Sequence, residues 1–159
     1  MELIQGGEND FVEFKSAFRW DVRQGKVSKD IENAIVKSIA GFLNGDGGIL
    51  FIGVNDSGEI VGIEHDLKSL KKPSTDGFEN YLNLAIKTSI GIDHRRFVDI
   101  KFARLEKKTV CIVRVSPSDH PVYVKVNNSE YFYVRTGNAT SPFTIREAVE
   151  YISAHWEDD

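Results

Sequence analysis

Residues 28–63 read SKDIENAIVKSIAGFLNGDGGILFIGVNDSGEIVGI. Ser28 carries a hydroxyl that can cap a helix running to about Leu43. Ile31, Ala34, Ile35, Ile39 and Phe42 recur at helical spacing and form its apolar stripe. Asn44 and Gly45 are predicted to end it, because both tolerate the left-handed conformation that closes a helix. Gly47 and Gly48 then turn tightly into Ile49 to Val54, whose near-continuous apolar run fits a strand buried on both faces. Asn55-Asp56-Ser57-Gly58 reads as a turn, and Glu59 to Ile63 is predicted to pair back as a hairpin.

Upstream, Phe11 to Ala17 reads as a short strand. Phe11, Glu13 and Lys15 share one face, with Val12 and Phe14 on the other. Downstream, residues 64–76 are irregular and basic. Phe78, Tyr81, Leu82, Ala85 and Ile86 mark a second amphipathic helix that starts near Thr75 or Asp76. Phe97 to Leu105 alternates, Thr109 to Val115 is mostly apolar, and Val122 to Val126 is short. Asn127-Asn128 turns the chain into a strand from Tyr131 to Arg135. Thr144 and Glu147 form a capping box for a last helix bearing Ile145, Ala148, Val149, Ile152 and Trp156. The order predicts an α+β fold with a mixed, mostly antiparallel sheet and about three helices.

A chain of 159 residues with 41% apolar composition suits one globular domain. No apolar run is long enough to span a bilayer, and MELIQGGEND lacks the basic and apolar regions of a signal peptide. Cys111 is the only cysteine and lies in an apolar run, so no disulfide or zinc framework forms within one chain. A reducing cytoplasm is the expected compartment.

The net charge is −4, yet its distribution is uneven. Residues 1–14 carry four acids and no base, and residues 144–159 carry five acids and one base. The body between them holds nineteen basic against fifteen acidic residues, a net of +4. Its densest basic stretches are Lys68, Lys71 and Lys72, then Arg95, Arg96, Lys101, Arg104, Lys107 and Lys108. Local patches of this kind attract phosphate, although a run of solvated faces would look the same.

Three constellations could carry chemistry. Glu8, Glu13 and Lys15 resemble the carboxylate and lysine arrangement of metal-dependent nucleases, in which hard oxygen holds a divalent cation and the lysine meets charge on phosphate. A solvated strand with alternating Glu and Lys reads the same way. Residues five apart on one strand point to opposite faces, so Glu8 and Glu13 converge only if Gly6, Gly7 and Asn9 bend the chain. Asp56 lies just past the end of a buried strand, where ligand groups often sit, but an Asn-Asp-Ser-Gly turn also uses aspartate for local hydrogen bonds. Arg135 to Thr140 follows an aromatic strand. There Gly137 and Asn138 suit positive backbone dihedrals and could form an anion nest, while Tyr131, Tyr133 and Arg135 in register could stack bases and grip phosphate. The histidines at 65, 94, 120 and 155 show no metal spacing and read as surface or turn residues. No P-loop and no dinucleotide fingerprint is present.

Glu8-x4-Glu13-Phe14-Lys15, then Ile39 to Gly48, then Ile52-Gly53-Val54-Asn55-Asp56-Ser57-Gly58-Glu59-Ile60-Val61-Gly62 resembles the Schlafen AlbA-like domain, also called divergent AAA. Pro121-Val122-Tyr123 and Tyr133 to Thr140 fit that family's downstream signature, and the resemblance covers residues 8 to about 153, which it implies as the domain core. The resemblance implies a Schlafen-type endoribonuclease acting on structured RNA such as tRNA, with Mg²⁺ or Mn²⁺ held by Glu8, Glu13 and Asp56 and with Lys15 assisting catalysis. The family's first acid of the final pair is Asn55 here, a departure that bears on the metal site. Lys68, Lys71, Lys72, Arg95, Arg96, Lys101, Arg104, Arg135 and Asn138 are the expected nucleic-acid contacts. Other members are described only as DNA-binding or transcription-regulator domains, which gives a noncatalytic DNA- or RNA-binding module as the alternative. A nucleotide-sensing or protein-interaction domain is a third. Vertebrate cores pair two related lobes around a basic groove, so a homodimer is expected to form the equivalent groove here.

Overall fold

The computed structural model describes residues 2–156, so Met1, the acidic residues 157–159 and the side chains of Ile92 and His94 fall outside the described part. The chain runs through α1 (Glu2–Gln5), β1 (Val12–Lys15), β2 (Trp20–Asp21), β3 (Lys26–Val27), α2 (Lys29–Asn44), β4 (Gly48–Ile52), α3 (Glu64–Lys68) and α4 (Thr75–Ser89). A 3-10 turn (Ile92–Phe97) leads to β5 (Val98–Leu105), β6 (Lys108–Val115), β7 (Val124–Val126), β8 (Ser129–Tyr131), β9 (Tyr133–Thr136), β10 (Ala139–Pro142) and α5 (Ile145–His155). The fold is α+β with mostly antiparallel pairing, as expected, and the described residues include five α-helices where about three were expected. The two additions, α1 and α3, are too short for an apolar period to reveal them.

The main sheet has the order β1-β4-β6-β5. β1 runs parallel to β4 with α2 as the crossover between them, and the other two pairings are antiparallel. Central β4 buries Leu50, Phe51 and Ile52 completely, which is why its sequence does not alternate. Leu50 and Ile52 join Cys111, Val113, Val98 and Ile100 in the larger core, under α2 and α4. Phe51, Val12, Phe14, Val110 and Ile112 form a smaller core on the opposite face, closed by Ile4 of α1. Glu13 lies beside Leu50 and Lys15 beside Ile52, so both acid and base project to the helical side of an edge strand.

Ser28 caps α2 by accepting from the Ile31 N–H, and the helix closes differently from the expected form. Gly45 has φ −102°, and the left-handed residue is Gly47 at φ +80°. Asn44 is a buried hub instead. Its amide donates to the Val122 and Tyr133 carbonyls at 2.9 and 2.8 Å and accepts from the Val122 N–H at 2.8 Å. Its carbonyl takes the Tyr151 hydroxyl at 2.5 Å. One side chain therefore ties the end of α2 to the segment before β7 and to β9, and its backbone reaches α5.

Three other expectations fail locally. Residues 59–63 make one isolated bridge, Val54 to Ile60, rather than a hairpin. The strand expected from Tyr131 to Arg135 is two strands, with Phe132 turned between β8 and β9 into an aromatic cluster with Phe143, Tyr151 and Trp156. The stripe of α5 is only partly used, because the helix docks through Tyr151 and Trp156 and leaves Ile145 and Val149 exposed. Among the described residues, no helix is long and apolar enough to cross a membrane.

Asn44→Ala leaves the Val122 N–H and two carbonyls without partners, and is expected to cost about 3 kcal/mol by the usual penalty for orphaned buried polar groups. Urea denaturation of that variant beside the exposed Asn138→Ala, expected within ~0.5 kcal/mol of the parent, measures it.

Candidate functional site

β1 is an edge strand, and its outward backbone groups need partners. Phe11 and Lys15 turn their carbonyls inward to Ile49 and Gly53 of the β4 segment. The intervening Val12 carbonyl and Phe14 N–H therefore face outward. The Phe14 N–H donates to Glu8 Oε2 at 2.9 Å. Arg135 Nη2 donates to the carbonyls of Asn9 and Val12 at 2.7 and 2.9 Å, while its Nη1 binds Glu13 Oε1. Side chains thus close the edge that a further strand would otherwise take.

The same contacts bring Glu8 and Glu13 together. Gly7 at φ +78° and an Asn9–Val12 bridge bend the chain, so Glu8 returns to hydrogen-bond the Glu13 carboxyl. Burial, the bond to Glu13 and repulsion from Glu13 and Asp56 push Glu8 from its ordinary 4.5 up to about 7, against the Phe14 N–H bond. Burial pushes Glu13 up too, but the bonds from Glu8 and Arg135 and the charges of Lys15 and Arg135 hold it below its ordinary value. The two acids are thus pushed in opposite directions, Glu8 toward its protonated form and Glu13 toward its ionised form.

Asp56 is exposed and close enough for its charge to act on Glu8. Its turn is held by the neighbouring residue. Asn55 Oδ1 accepts from the N–H groups of Ser57 and Glu59 at 3.0 and 2.9 Å, and Asn55 Nδ2 donates to Glu59 Oε1 at 3.0 Å. An aspartate at 55 could not make that last bond and would confront Glu59 with like charge. Asp56 is left to line a cleft of about 750 Å³ with Lys15, Trp20, Arg23, Asn55 and His65. Among the described residues, no group of three or more His, Cys, Asp or Glu side chains is placed to hold a metal ion. The arrangement has two carboxylates in contact and a third nearby.

Arg135, expected to grip phosphate in register with Tyr131 and Tyr133, is only 9% exposed and committed to β1. Its guanidinium also lies 5.1 Å from the Phe42 ring centroid. A strand-face reading misplaced it because the residue pairs inward across 122 positions of chain. Asn138 is exposed on the β9–β10 turn, where only Gly137 takes a positive φ. In the second basic stretch, Arg96 pairs with Asp119 at 3.0 Å, Lys101 with Asp99 at 4.0 Å and Arg104 with Glu64 at 4.0 Å. Arg95 Nη1 donates to the Val98 carbonyl and Lys108 Nζ to the Ile60 carbonyl. Lys68, Lys71 and Lys72 are exposed, and the last two line a second hollow of about 430 Å³ with Arg19, Asn80, Tyr81 and Leu84.

Sequence reading missed Asp66, Arg19 and Trp20. Asp66 of α3 is 1% exposed and accepts the N–H groups of Phe18, Arg19 and Trp20 at 2.9, 2.9 and 2.8 Å. Burial raises its carboxyl above the ordinary range against the pull of those amides. A tryptophan between Arg19 and Arg23 in a polar loop was the one available signal for this segment.

Several solved structures share the fold, and two of them illustrate it. One is the DIP2311 protein of Corynebacterium diphtheriae, 23% identical with a TM-score of 0.64, where 94% of this chain matches 28% of that one. This chain therefore spans little more than a quarter of that structure's length. The other is the N-terminal domain of a Nitrosomonas europaea protein whose name relates it to the ATP-dependent DNA helicase RecG, 16% identical with a TM-score of 0.54, covering 91% of this chain and 92% of that domain. No curated protein matches the chain. The family model described as Schlafen, AlbA_2 matches residues 8–144, nearly the whole run from Glu8 to the cap of α5, and the chain belongs to that family.

Proposed function

We propose that this chain is a nucleic-acid-binding domain, with RNA as its preferred ligand. Membership of the Schlafen AlbA_2 family supports a nucleic-acid-related role. The observation that carries the reading is the cleft beside β1, which sets Trp20 among Lys15 and Arg23. An aromatic ring and two cations lining one cleft suit an unstacked base and its phosphates. The chain is acidic overall, so attraction depends on this local placement rather than on total charge. A second copy would complete a groove of the kind that paired lobes form, giving a protein dimer on each RNA.

Anisotropy titrations with labelled tRNA and with DNA test the reading. Binding is expected to weaken steeply as salt rises, and Lys15→Ala together with Arg23→Ala is expected to lower the slope of log affinity against log salt by about 1.4, roughly 0.7 for each lost single-strand contact. Absence of binding to either polymer at low salt overturns it.

The paired carboxylates favour a second reading, metal-dependent cleavage of structured RNA such as tRNA. Glu8, Glu13 and Asp56 would hold Mg²⁺ or Mn²⁺, which when bound supplies Lewis-acid activation of water and phosphate. Lys15, whose charge already acts on Glu13, would face charge developing on phosphate. Glu13→Ala is a poor test, because it strands a buried arginine at a cost of about 3–5 kcal/mol. Glu8→Gln and Asp56→Asn leave the Glu13–Arg135 pair whole. Cleavage of total tRNA that requires Mn²⁺, and is lost in both variants while RNA binding persists, is the expected result. Intact tRNA with the parent protein leaves binding alone.

The raised Glu8 carboxyl is open to a separate measurement. Between pH 4.5 and 7 the folded chain keeps a proton on Glu8 that the unfolded chain releases, so this group makes stability fall as pH rises through that window. Glu13, held low, acts only below its ordinary value. Glu8→Gln mimics the protonated acid. It is expected to flatten the slope and to exceed the parent at pH 8 by on the order of 1 kcal/mol, after allowance for solvent screening. Thermal melts from pH 4 to 8 read the difference.

A further inference from the structure

Arg19 and Trp20 are neighbours at the entry to β2, where the amides of Phe18, Arg19 and Trp20 are fixed by one buried carboxylate, Asp66. They serve different hollows. Trp20 lines the cleft beside β1, and Arg19 lines the hollow formed with Lys71, Lys72 and Tyr81. The helix α3 separates the two: His65 and Asp66 line the first, and Ser69 and Leu70, just past its end, line the second. Lys68 stands exposed on that ridge.

The second hollow is a built feature. Its lining holds three cations and no acid. Arg19 lies with its guanidinium carbon 4.4 Å from the Tyr81 ring centroid, and its Nε is buried without a hydrogen-bond partner in the protein. The lysine segment is anchored as well. The Lys72 carbonyl accepts from the Ser74 N–H at 2.9 Å, and it sits so close over α4 that a Cβ at Gly77 would stand 2.0 Å from it. None of the three cations pairs with a carboxylate in any described salt bridge, unlike Arg96, Lys101 and Arg104 of the other basic stretch.

We infer that a single-stranded polynucleotide runs across α3, with a base on Trp20 in the cleft and its backbone phosphates on Lys68, Arg19, Lys71 and Lys72. This rests on the nucleic-acid reading above and deepens it, since it names an unpaired segment as the ligand and gives it a path across α3. Tryptophan offers a stacking face to any base, and a duplex keeps its bases stacked on one another. The second hollow supplies phosphate contacts without the acids that line the first.

The full chain is titrated with a single-stranded RNA 12-mer, with the same sequence as a duplex, and with inorganic polyphosphate. The single strand is expected to bind best and to quench tryptophan fluorescence, with the quench absent in Trp20→Ala. Trp20→Ala is expected to weaken single-strand binding about tenfold, the scale of one lost base stack, while leaving polyphosphate binding unchanged. Trp20→Phe, which keeps a ring, recovers most of the loss and shows that the loop still folds. Lys71→Ala with Lys72→Ala is expected to weaken both single-strand and polyphosphate binding. Duplex binding equal to single-strand binding, or single-strand binding unmoved by these variants, overturns the path while the nucleic-acid reading stands. No binding by any of the three polymers overturns both.

Discussion

The Glu13–Arg135 pair is the contact on which the site depends. It joins residues 122 positions apart, from the edge of the main sheet to the short hairpin that packs on α2. Burying two charges is expensive, and their attraction repays the desolvation only when the remaining donors and acceptors are also satisfied. Arg135 meets most of that condition through the Asn9 and Val12 carbonyls, and Glu13 through Glu8 and the nearby Lys15. The hairpin can approach because α2 carries Gly41 at the contact, where a Cβ would stand 2.8 Å from Thr140 Cγ2. Backbone, ion pair and helix packing therefore specify one another.

This assigns different tasks to two acids that look alike in sequence. Glu13 is held ionised by Arg135 and secures the hairpin. Glu8 accepts a backbone N–H and is pushed toward its protonated form by burial and by its acidic neighbour. A like-charged pair in partial burial has few ways to relieve repulsion: a proton, a cation from solution or a basic side chain. Arg135 supplies the last to Glu13 alone. The residual strain is concentrated on Glu8, with Asp56 adding to it from the mouth of the cleft, so chemistry at this corner would begin with Glu8.

The long elements were legible because each repeats a period over enough residues to be distinctive. Residues 29–44 and 75–89 bury a helical stripe, and β4 shows the unbroken apolar run of a central strand. The capping box at Thr144 and Glu147 was legible for a local reason, since both partners lie within one turn. What was not legible is non-local. Asn44 reads as a helix terminator, yet its partners are 78 and 89 residues away. Asp66 reads as one charge in a basic stretch, yet it organises amides 46 to 48 residues upstream. Arg135 alternates correctly with Tyr133, but periodicity cannot say that the face it shares is covered. The bend that joins Glu8 to Glu13 could be anticipated from Gly6, Gly7 and Asn9, because a turn is a local property.

An acidic chain can offer a phosphate-binding surface if its acids are occupied and some of its bases are not. Asp119, Asp99 and Glu64 lie against Arg96, Lys101 and Arg104, so much of the second basic stretch is neutralised within the fold. Asp66 is buried and turned toward amides, which removes its charge from the surface. The same fixing of amides sets Arg19 and Trp20 on opposite sides of α3. Burying that carboxylate costs desolvation, and the three N–H bonds offset it only while the loop keeps this one shape. A rigid loop loses little entropy when a ligand arrives, so Asp66 would raise the affinity of the proposed ligand without touching it.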